Sequence, residues 1–241
     1  MDYRDHQRGY SSDHFWFRGK RGLIKVLMDL SALPAGARIL NLGAGMGEDL
    51  SVIASYGTVH VVDKEPEALK HVPEDLVAEK INADICDLSY PEGSFDAVLA
   101  FDVLEHIKDD GAAVNAICRL LKPAGVFVFT VPALAILFSL HDRTLGHHRR
   151  YGRENLMRLL EPFRIERMGY WMSLLLPILA LQRLVERNST ESNSSANAMP
   201  TFINSALYRV LTFENTLIRL GIPLPIGATL FGVCRKHEAV S

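Results

Sequence analysis

The chain has 241 residues, 48% of them hydrophobic and 22% charged, which is the composition of an ordinary globular protein able to bury one sizeable core. Its formal net charge of −2 counts against general nucleic-acid binding, because such binders carry a basic excess. Three cysteines (Cys86, Cys118, Cys234), odd in number and in no metal-ligand spacing, read as buried small hydrophobes in a reducing compartment, and no metal ion is expected.

Residues 1–37 read as an N-terminal helical segment; the opening Met1-Asp2-Tyr3-Arg4-Asp5-His6 lacks the apolar core of a signal peptide. Arg38 to Leu42 is a short apolar run ending in glycines, which predicts a buried parallel strand, with a helix from Gly47 to Ser55 behind it. Thr58 to Val62 is β-branched and ends at Asp63, which suits a second strand. Pro66 sits where a first helical turn tolerates it. Ala78 to Ala83 is a weaker strand and Phe95 to Phe101 a strong one. A helix is predicted over Asp109 to Leu121, stopped by Lys122-Pro123-Ala124-Gly125, and a fifth strand over Val126 to Val131.

Beyond Pro132 the pattern predicts a helix over Arg153 to Glu161, a strand over Phe163 to Met168, apolar helices over Trp171 to Arg187 and Phe202 to Leu220, and a last strand over Thr229 to Arg235. The polar stretch Asn188 to Asn197 cannot support a core and is expected to be mobile; its two glycosylation-like sequons are expected to be unused. Alternating strands and helices imply a Rossmann-like α/β fold, a mostly parallel seven-stranded sheet with helices on both faces. The whole chain is expected to form one domain, with residues 1–37 as its N-terminal helical segment, 38–132 as its ligand-binding core, and 133–241 as the remaining segments, a helical C-terminal cap and the last strands. No apolar window approaches the roughly 20 residues of a membrane span. A cytoplasmic protein is expected, and peripheral membrane contact and a homodimer are both left open.

The most informative residues are Asn41-Leu42-Gly43-Ala44-Gly45-Met46-Gly47 with Asp63. Glycines at a strand-to-helix turn let the backbone bend and approach a ligand. A carboxylate at the tip of the next strand, about 20 residues on, is placed to accept from ribose hydroxyls. A dinucleotide fingerprint needs a small residue where Glu48 stands, and a carboxylate there would face a pyrophosphate. Both facts favour a ribose ligand without phosphates.

The run from Ile39 to Gly47 resembles the first motif of class I S-adenosylmethionine-dependent methyltransferases, an acidic residue followed by G-x-G-x-G. Asp63 with Lys64 then matches the ribose-binding acid, and Asn82-Ala83-Asp84-Ile85 the site beside the adenine amino group. The run from Phe95 to Ile107 is similar to that family's fourth-strand segment, whose end flanks the cofactor; here that is Phe101-Asp102-Val103 and His106. Lys122 to Val126 matches the turn before the fifth strand. The resemblance covers Arg38 to Pro132. It implies S-adenosyl-L-methionine as cofactor, S-adenosyl-L-homocysteine as product, and Asn41, Gly43, Ala44, Gly45, Gly47, Asp63, Lys64, Asp84, Ile85, Phe101, Asp102, Val103 and His106 as cofactor contacts. Asn41 departs from the family's usual acid and loses its charge, which implies weaker binding by about 1 kcal/mol. For His106, a purely structural role beside the cofactor is the alternative.

His14 to Arg21 and His141 to Tyr151 resemble a subgroup of uncharacterised methyltransferases associated with sugar or lipid-linked acceptors. Methyl transfer needs alignment more than chemistry from the protein, but an oxygen acceptor benefits from a base. His147 or His148 suits that role, with Asp142 orienting the ring. Arg149 and Arg150 are candidates to hold an anionic acceptor, and Trp16, Arg18 and Tyr151 to contact it; a solvated basic loop is the alternative. Trp16 and Phe17 read equally as a lid or as packing. The apolar helices read as a cover for a hydrophobic acceptor or as ordinary packing. The expected activity is methyl transfer to a small-molecule, sugar or lipid-like acceptor. The competing functions are a non-catalytic cofactor-binding or scaffold protein, and a nucleotide- or nicotinamide-dependent enzyme.

Overall fold

The structure, a computed structural model, describes residues 12–187 and 199–238. In chain order the elements are α1 (Phe15–Ser31), β1 (Ala37–Leu42), α2 (Leu50–Ile53), β2 (Gly57–Asp63), α3 (Pro66–Leu69), β3 (Glu79–Asn82), β4 (Phe95–Phe101), α4 (Asp110–Leu120), β5 (Leu121–Pro132), α5 (Leu140–Leu145), α6 (Arg153–Leu159), β6 (Phe163–Trp171), α7 (Leu176–Arg187), α8 (Thr201–Arg219) and β7 (Thr229–Lys236). The strands form a seven-stranded sheet in the order β3-β2-β1-β4-β5-β7-β6. All neighbouring pairs are parallel except those of β7, which runs antiparallel to β5 and β6.

Strand periodicity divides the core in two. Ile39, Val59, Val61, Leu99 and Val128 face a cluster that includes Leu23, Ile24 and Leu27 of α1. Leu40, Leu42, Val98, Phe127 and Phe129 point the other way, onto Val114 and Ile117 of α4 and Leu156 of α6. Central strands covered on both faces read as near-continuous apolar runs, which is why β1 and β4 are apolar apart from Arg38, Asn41 and Asp96. Strand order reverses between β1 and β4, so a crevice opens at their carboxyl ends, where open α/β sheets bind ligands.

α8 lies against α1 at close range: a side chain at Gly19 would meet Leu211, and one at Gly22 would meet Asn215. The Asn215 amide donates to the Gly19 carbonyl at 3.0 Å. The buried Glu214 of α8 accepts from the Ser173 and Leu174 N–H groups at 2.6 and 3.0 Å and so holds the turn that follows β6.

Three expectations need correction. The predicted helix from Trp171 starts only at Leu176, because β6 runs through Trp171 and Met172 then turns the chain at φ 58°. The helix expected from Gly47 to Ser55 shortens to α2, because the glycine loop folds into successive turns up to Leu50. Of the cysteines only Cys234 is buried, where burial pushes its thiol up to about 12, while Cys86 is exposed. Among the described residues no helix is long and apolar enough to cross a membrane. The stretch 188–197 with its sequons lies outside the described residues, as do residues 1–11.

Candidate active site

The crevice is built first from the glycine loop. Gly43, Gly45 and Gly47 adopt φ of 60°, 53° and 79°, the left-handed region that only glycine enters without strain. Gly43 and Ala44 donate N–H bonds to the Val62 carbonyl at 2.8 and 3.3 Å, which folds the loop across the end of β2. Gly45 then donates to Asp63 Oδ2 at 2.8 Å, and Glu65 donates to Asp63 Oδ1 at 2.9 Å. Both carboxylate oxygens are thereby aimed, and each keeps a lone pair for a further donor. A side chain at Gly43 would come within 2.6 Å of Val103 Cγ2, so the loop lies directly against the turn after β4.

The neighbouring strand ends complete that half of the crevice. Asn41, 4% exposed, lies near the end of β1. Beyond β3, the exposed Asp84 caps the Cys86 N–H at 2.9 Å, with Ile85 buried beside it. Lys64 is exposed, and its carbonyl accepts from Asn82 at 3.0 Å.

At the end of β4 the chain turns into a buried polar cluster. Phe101 is buried, and Asp102 turns the backbone at φ 57°, a conformation that Asp tolerates better than most residues. Its carboxylate meets Lys20 Nζ at 2.7 Å and accepts from Thr130 Oγ1 at 3.0 Å. Burial opposes the charge on both partners, yet the pairing wins: Asp102 is held below, and Lys20 above, its ordinary value. Glu105, three residues on, is fully buried, and neither carboxylate oxygen has a hydrogen-bond partner. Burial, reinforced by the Asp102 charge, raises its carboxyl well above the usual range.

The segment after α5 supplies the opposite wall. Ser139 and Asp142 form a capping box at the start of α5. The fully buried Asp142 also accepts from His147 Nδ1 at 3.0 Å and from Arg150 Nε at 2.8 Å. Burial works against its ionised form, but the His147 and Arg150 contacts hold it well below the carboxylate range. The His147 ring packs edge-on against His106, with centroids 4.6 Å apart. Ligand atoms of Glu105, His106 and His147 all lie within 4.8 Å of one another.

Of the two histidines considered for the base role, the geometry brings His147 to the cluster. His148 is exposed; its backbone N–H ties the segment to the Glu105 carbonyl at 2.8 Å. The residues expected to hold an acceptor turn inward instead. Arg150 is consumed by Asp142 and the Ala133 carbonyl. Arg149 pairs with Asp110 at 2.7 Å and donates to the Lys108 carbonyl. Tyr151 is buried with its hydroxyl donating to Asp110 at 2.9 Å. Arg18 stacks on Tyr208 of α8 at 3.9 Å, which makes it part of the α1–α8 contact. Trp16 is half-buried, with Trp171 6.4 Å away and Lys20 5.2 Å from its ring, an arrangement of packing rather than of a lid. An open depression of about 440 Å³ beside Arg149, Tyr151 and Asn155 lies along α6, away from the glycine loop.

Two site residues were not anticipated, Lys20 and Glu105. Lys20 had a readable signal. It falls four residues after Trp16 and three and four before Leu23 and Ile24, which puts it on the buried stripe of α1. Glu105 lies within the segment that resembles the family's fourth strand, but its spacing alone does not distinguish it from a surface acid.

Residues 40–129 match the family model described as a methyltransferase domain. A probable S-adenosylmethionine-dependent methyltransferase of Mycolicibacterium smegmatis is 29% identical over 157 residues, covering 64% of this chain and 60% of that protein. A ubiquinone biosynthesis O-methyltransferase of Xanthomonas axonopodis is 35% identical over 115 residues, covering 44% and 48%. The chain thus spans about half the length of the curated relatives it matches. Among solved structures, a putative methyltransferase in complex with the Haloferax volcanii Trm112 activator superposes with a TM-score of 0.61 at 16% identity, covering 98% of this chain and 96% of that one.

Proposed function

We propose that this chain, whose matched domain and fold are those of the class I S-adenosylmethionine-dependent methyltransferases, transfers a methyl group to a hydroxyl of a small, partly apolar acceptor. The observation that carries this reading is the juxtaposition of the glycine loop and Asp63 with the Glu105–His106–His147 cluster, joined through Val103 and the turn after β4. The residues present fit the cofactor. The left-handed turns at Gly43, Gly45 and Gly47 form a backbone cradle closed on one side by Val103, Asp63 has lone pairs for ribose hydroxyls, and Asp84 and Ile85 offer an acceptor and an apolar face to a purine. S-adenosylmethionine supplies a methyl group on a sulfonium that departs as a neutral thioether.

The protein's task is then positioning. Phe101 and Val103 flank the crevice, and the Lys20–Asp102 pair fixes the β4 turn against α1. His147 activates the acceptor oxygen; Asp142 holds its Nδ1, which turns Nε2 toward the acceptor side. With the cofactor bound, His147 Nε2 would take the O–H proton as the acceptor oxygen forms the new O–C bond, and the methyl–sulfur bond would break to release the thioether. The exposed Ile136 in the turn after β5, and Ile178 and Leu181 on the adjoining α7, support an apolar acceptor. The Xanthomonas relative, named for an O-methylation in ubiquinone biosynthesis, supports a hydroxyl.

Asn41, an amide in place of the family's acid, favours a second reading, a cofactor-binding protein without turnover. Incubation with methyl-labelled S-adenosylmethionine and a panel of phenols, catechols and quinols separates the two. The first reading predicts label in an acceptor hydroxyl and loss of turnover in His147→Ala. Cofactor binding without label in any acceptor would favour the second.

A further inference from the structure

We propose that Glu105, His106 and His147 hold a divalent cation of the zinc or manganese class at the acceptor side of the crevice, a ligand set of two imidazoles and one carboxylate. Three observations converge on it. The first is proximity: one donor atom from each residue lies within 4.8 Å of the other two. The second is the state of Glu105, a carboxylate shut away from water with neither oxygen hydrogen-bonded. A buried polar group is normally satisfied, and one left orphaned inside a cluster of metal-binding side chains points to a partner of positive charge. The third is the support behind His147. Its Nδ1 meets Asp142, whose carboxylate is in turn fixed by Arg150 and by the Ser139 N–H. Metal-bound histidines are typically held this way, with one ring nitrogen on a carboxylate and the other on the ion.

The charge around the cluster allows a cation. Asp102, Glu105 and Asp142 stand against Lys20 and Arg150, and Lys20 and Arg150 are already matched to Asp102 and Asp142. Among the described residues Glu105 forms no ion pair of its own. Bonds of about 2.0–2.2 Å to nitrogen and oxygen place tetrahedral donors about 3.4 Å apart, so the three side chains would draw together by about 1.4 Å. That is within reach of rotations about their χ angles. Imidazole donors suit zinc or manganese better than magnesium, which prefers all-oxygen octahedra. Three protein ligands leave at least one position open, as in catalytic rather than structural sites.

The role of the ion rests on the methyl-transfer reading, whereas its binding does not. With an ion bound, the Nε2 lone pair of His147 is on the metal and no longer free to take a proton; an acceptor hydroxyl at the open position would be held and made more acidic by the ion, and its proton would leave to solvent.

The test uses full-length, tag-free protein. Metal content is measured on protein purified without chelator, and chelator-stripped protein is then titrated with Zn²⁺, Mn²⁺ and Mg²⁺ while the unfolding midpoint is followed. Saturable stabilisation by Zn²⁺ or Mn²⁺ near one equivalent is expected, with Mg²⁺ much weaker. Glu105→Gln and His147→Gln should each weaken apparent affinity at least about tenfold, the loss of one ligand or its support. His148→Ala, on the exposed neighbour, should not. If Glu105→Gln does not fold, His147→Gln carries the same comparison. Absence of a saturable shift in the stripped wild-type protein, or equal affinity in wild type and the ligand variants, overturns the site. Stabilisation by S-adenosylhomocysteine is followed in parallel on stripped protein. A positive result there with no metal response overturns the ion alone, and the reverse overturns the methyl-transfer reading alone.

Discussion

Lys20→Met isolates the contact that fixes the β4 turn. Methionine keeps the length and the apolar stem and deletes the charge. The Lys20 side chain is 5% exposed and that of Asp102 25%, with 2.7 Å between Nζ and Oδ2, so the pair is largely shielded from water. Removing one partner of a fully buried pair costs about 3–5 kcal/mol, because the other charge is left uncompensated. Partial exposure of Asp102 and its bond from Thr130 lower that to about 2–4 kcal/mol. For a chain of this size each kcal/mol moves the midpoint by about 2–4 °C, so a fall of about 4–16 °C is expected. The assay is thermal unfolding of wild type, Lys20→Met, Asp102→Asn and the double variant. Asparagine also tolerates the left-handed backbone at position 102, and the double variant should recover much of the loss.

The pH dependence follows from the directions of the shifts. Asp102 is held below its ordinary value, so its contribution is present above that value and lost as pH falls through the lowered one. Lys20 is raised, so its contribution is present below its ordinary value and lost as pH rises through the raised one. The wild-type advantage over Lys20→Met should therefore hold between about pH 4 and pH 10 and shrink on either side. A drop below about 2 °C at pH 7, or an advantage that does not shrink in acid, would refute the reasoning.

Gly43→Ala places a side chain at φ 60° and against Val103, so the midpoint should fall by an amount equivalent to about 1–2 kcal/mol and stabilisation by S-adenosylhomocysteine should vanish; full retention of that stabilisation would remove the cradle. Asn41→Asp restores the family's usual acid and should tighten or preserve cofactor affinity by calorimetry, whereas a tenfold loss would show that the amide is the better fit. His147→Ala should lower turnover about a hundredfold and His148→Ala leave it within a few-fold, since only His147 reaches the cluster; equal effects would contradict the assignment.

Local pattern carried much of the fold. Phe95 to Phe101 is an apolar run interrupted only by Asp96, entered by a turn and left by Asp102, and the strand occupies those residues. The glycine loop and Asp63 were legible because their chemistry is local: a tight turn, a strand tip and fixed spacing. The Trp171 boundary was not, because Trp171 and Met172 are apolar like the helix that follows. The break comes from a left-handed turn at Met172, and its supporting carboxylate, Glu214, is far away in sequence. The acceptor wall was misread for a related reason. Arg149 and Arg150 look like free cations in sequence, and their partners Asp110 and Asp142 are revealed by tertiary packing. Burial of Lys20 was readable from helical spacing; burial of Glu105 depends on tertiary packing, in which the distant His148 N–H bonds its carbonyl.

The most direct test of the central claim is thermal unfolding of wild type and Asp63→Ala with S-adenosylmethionine, S-adenosylhomocysteine or NAD. At about 100 times its dissociation constant a ligand adds about 2.7 kcal/mol, a shift of several degrees. Both sulfur ligands should raise the wild-type midpoint, NAD should not, and Asp63→Ala should abolish the response. An unmoved wild-type midpoint at saturating S-adenosylhomocysteine, or an equal shift with NAD, would contradict the methyltransferase assignment.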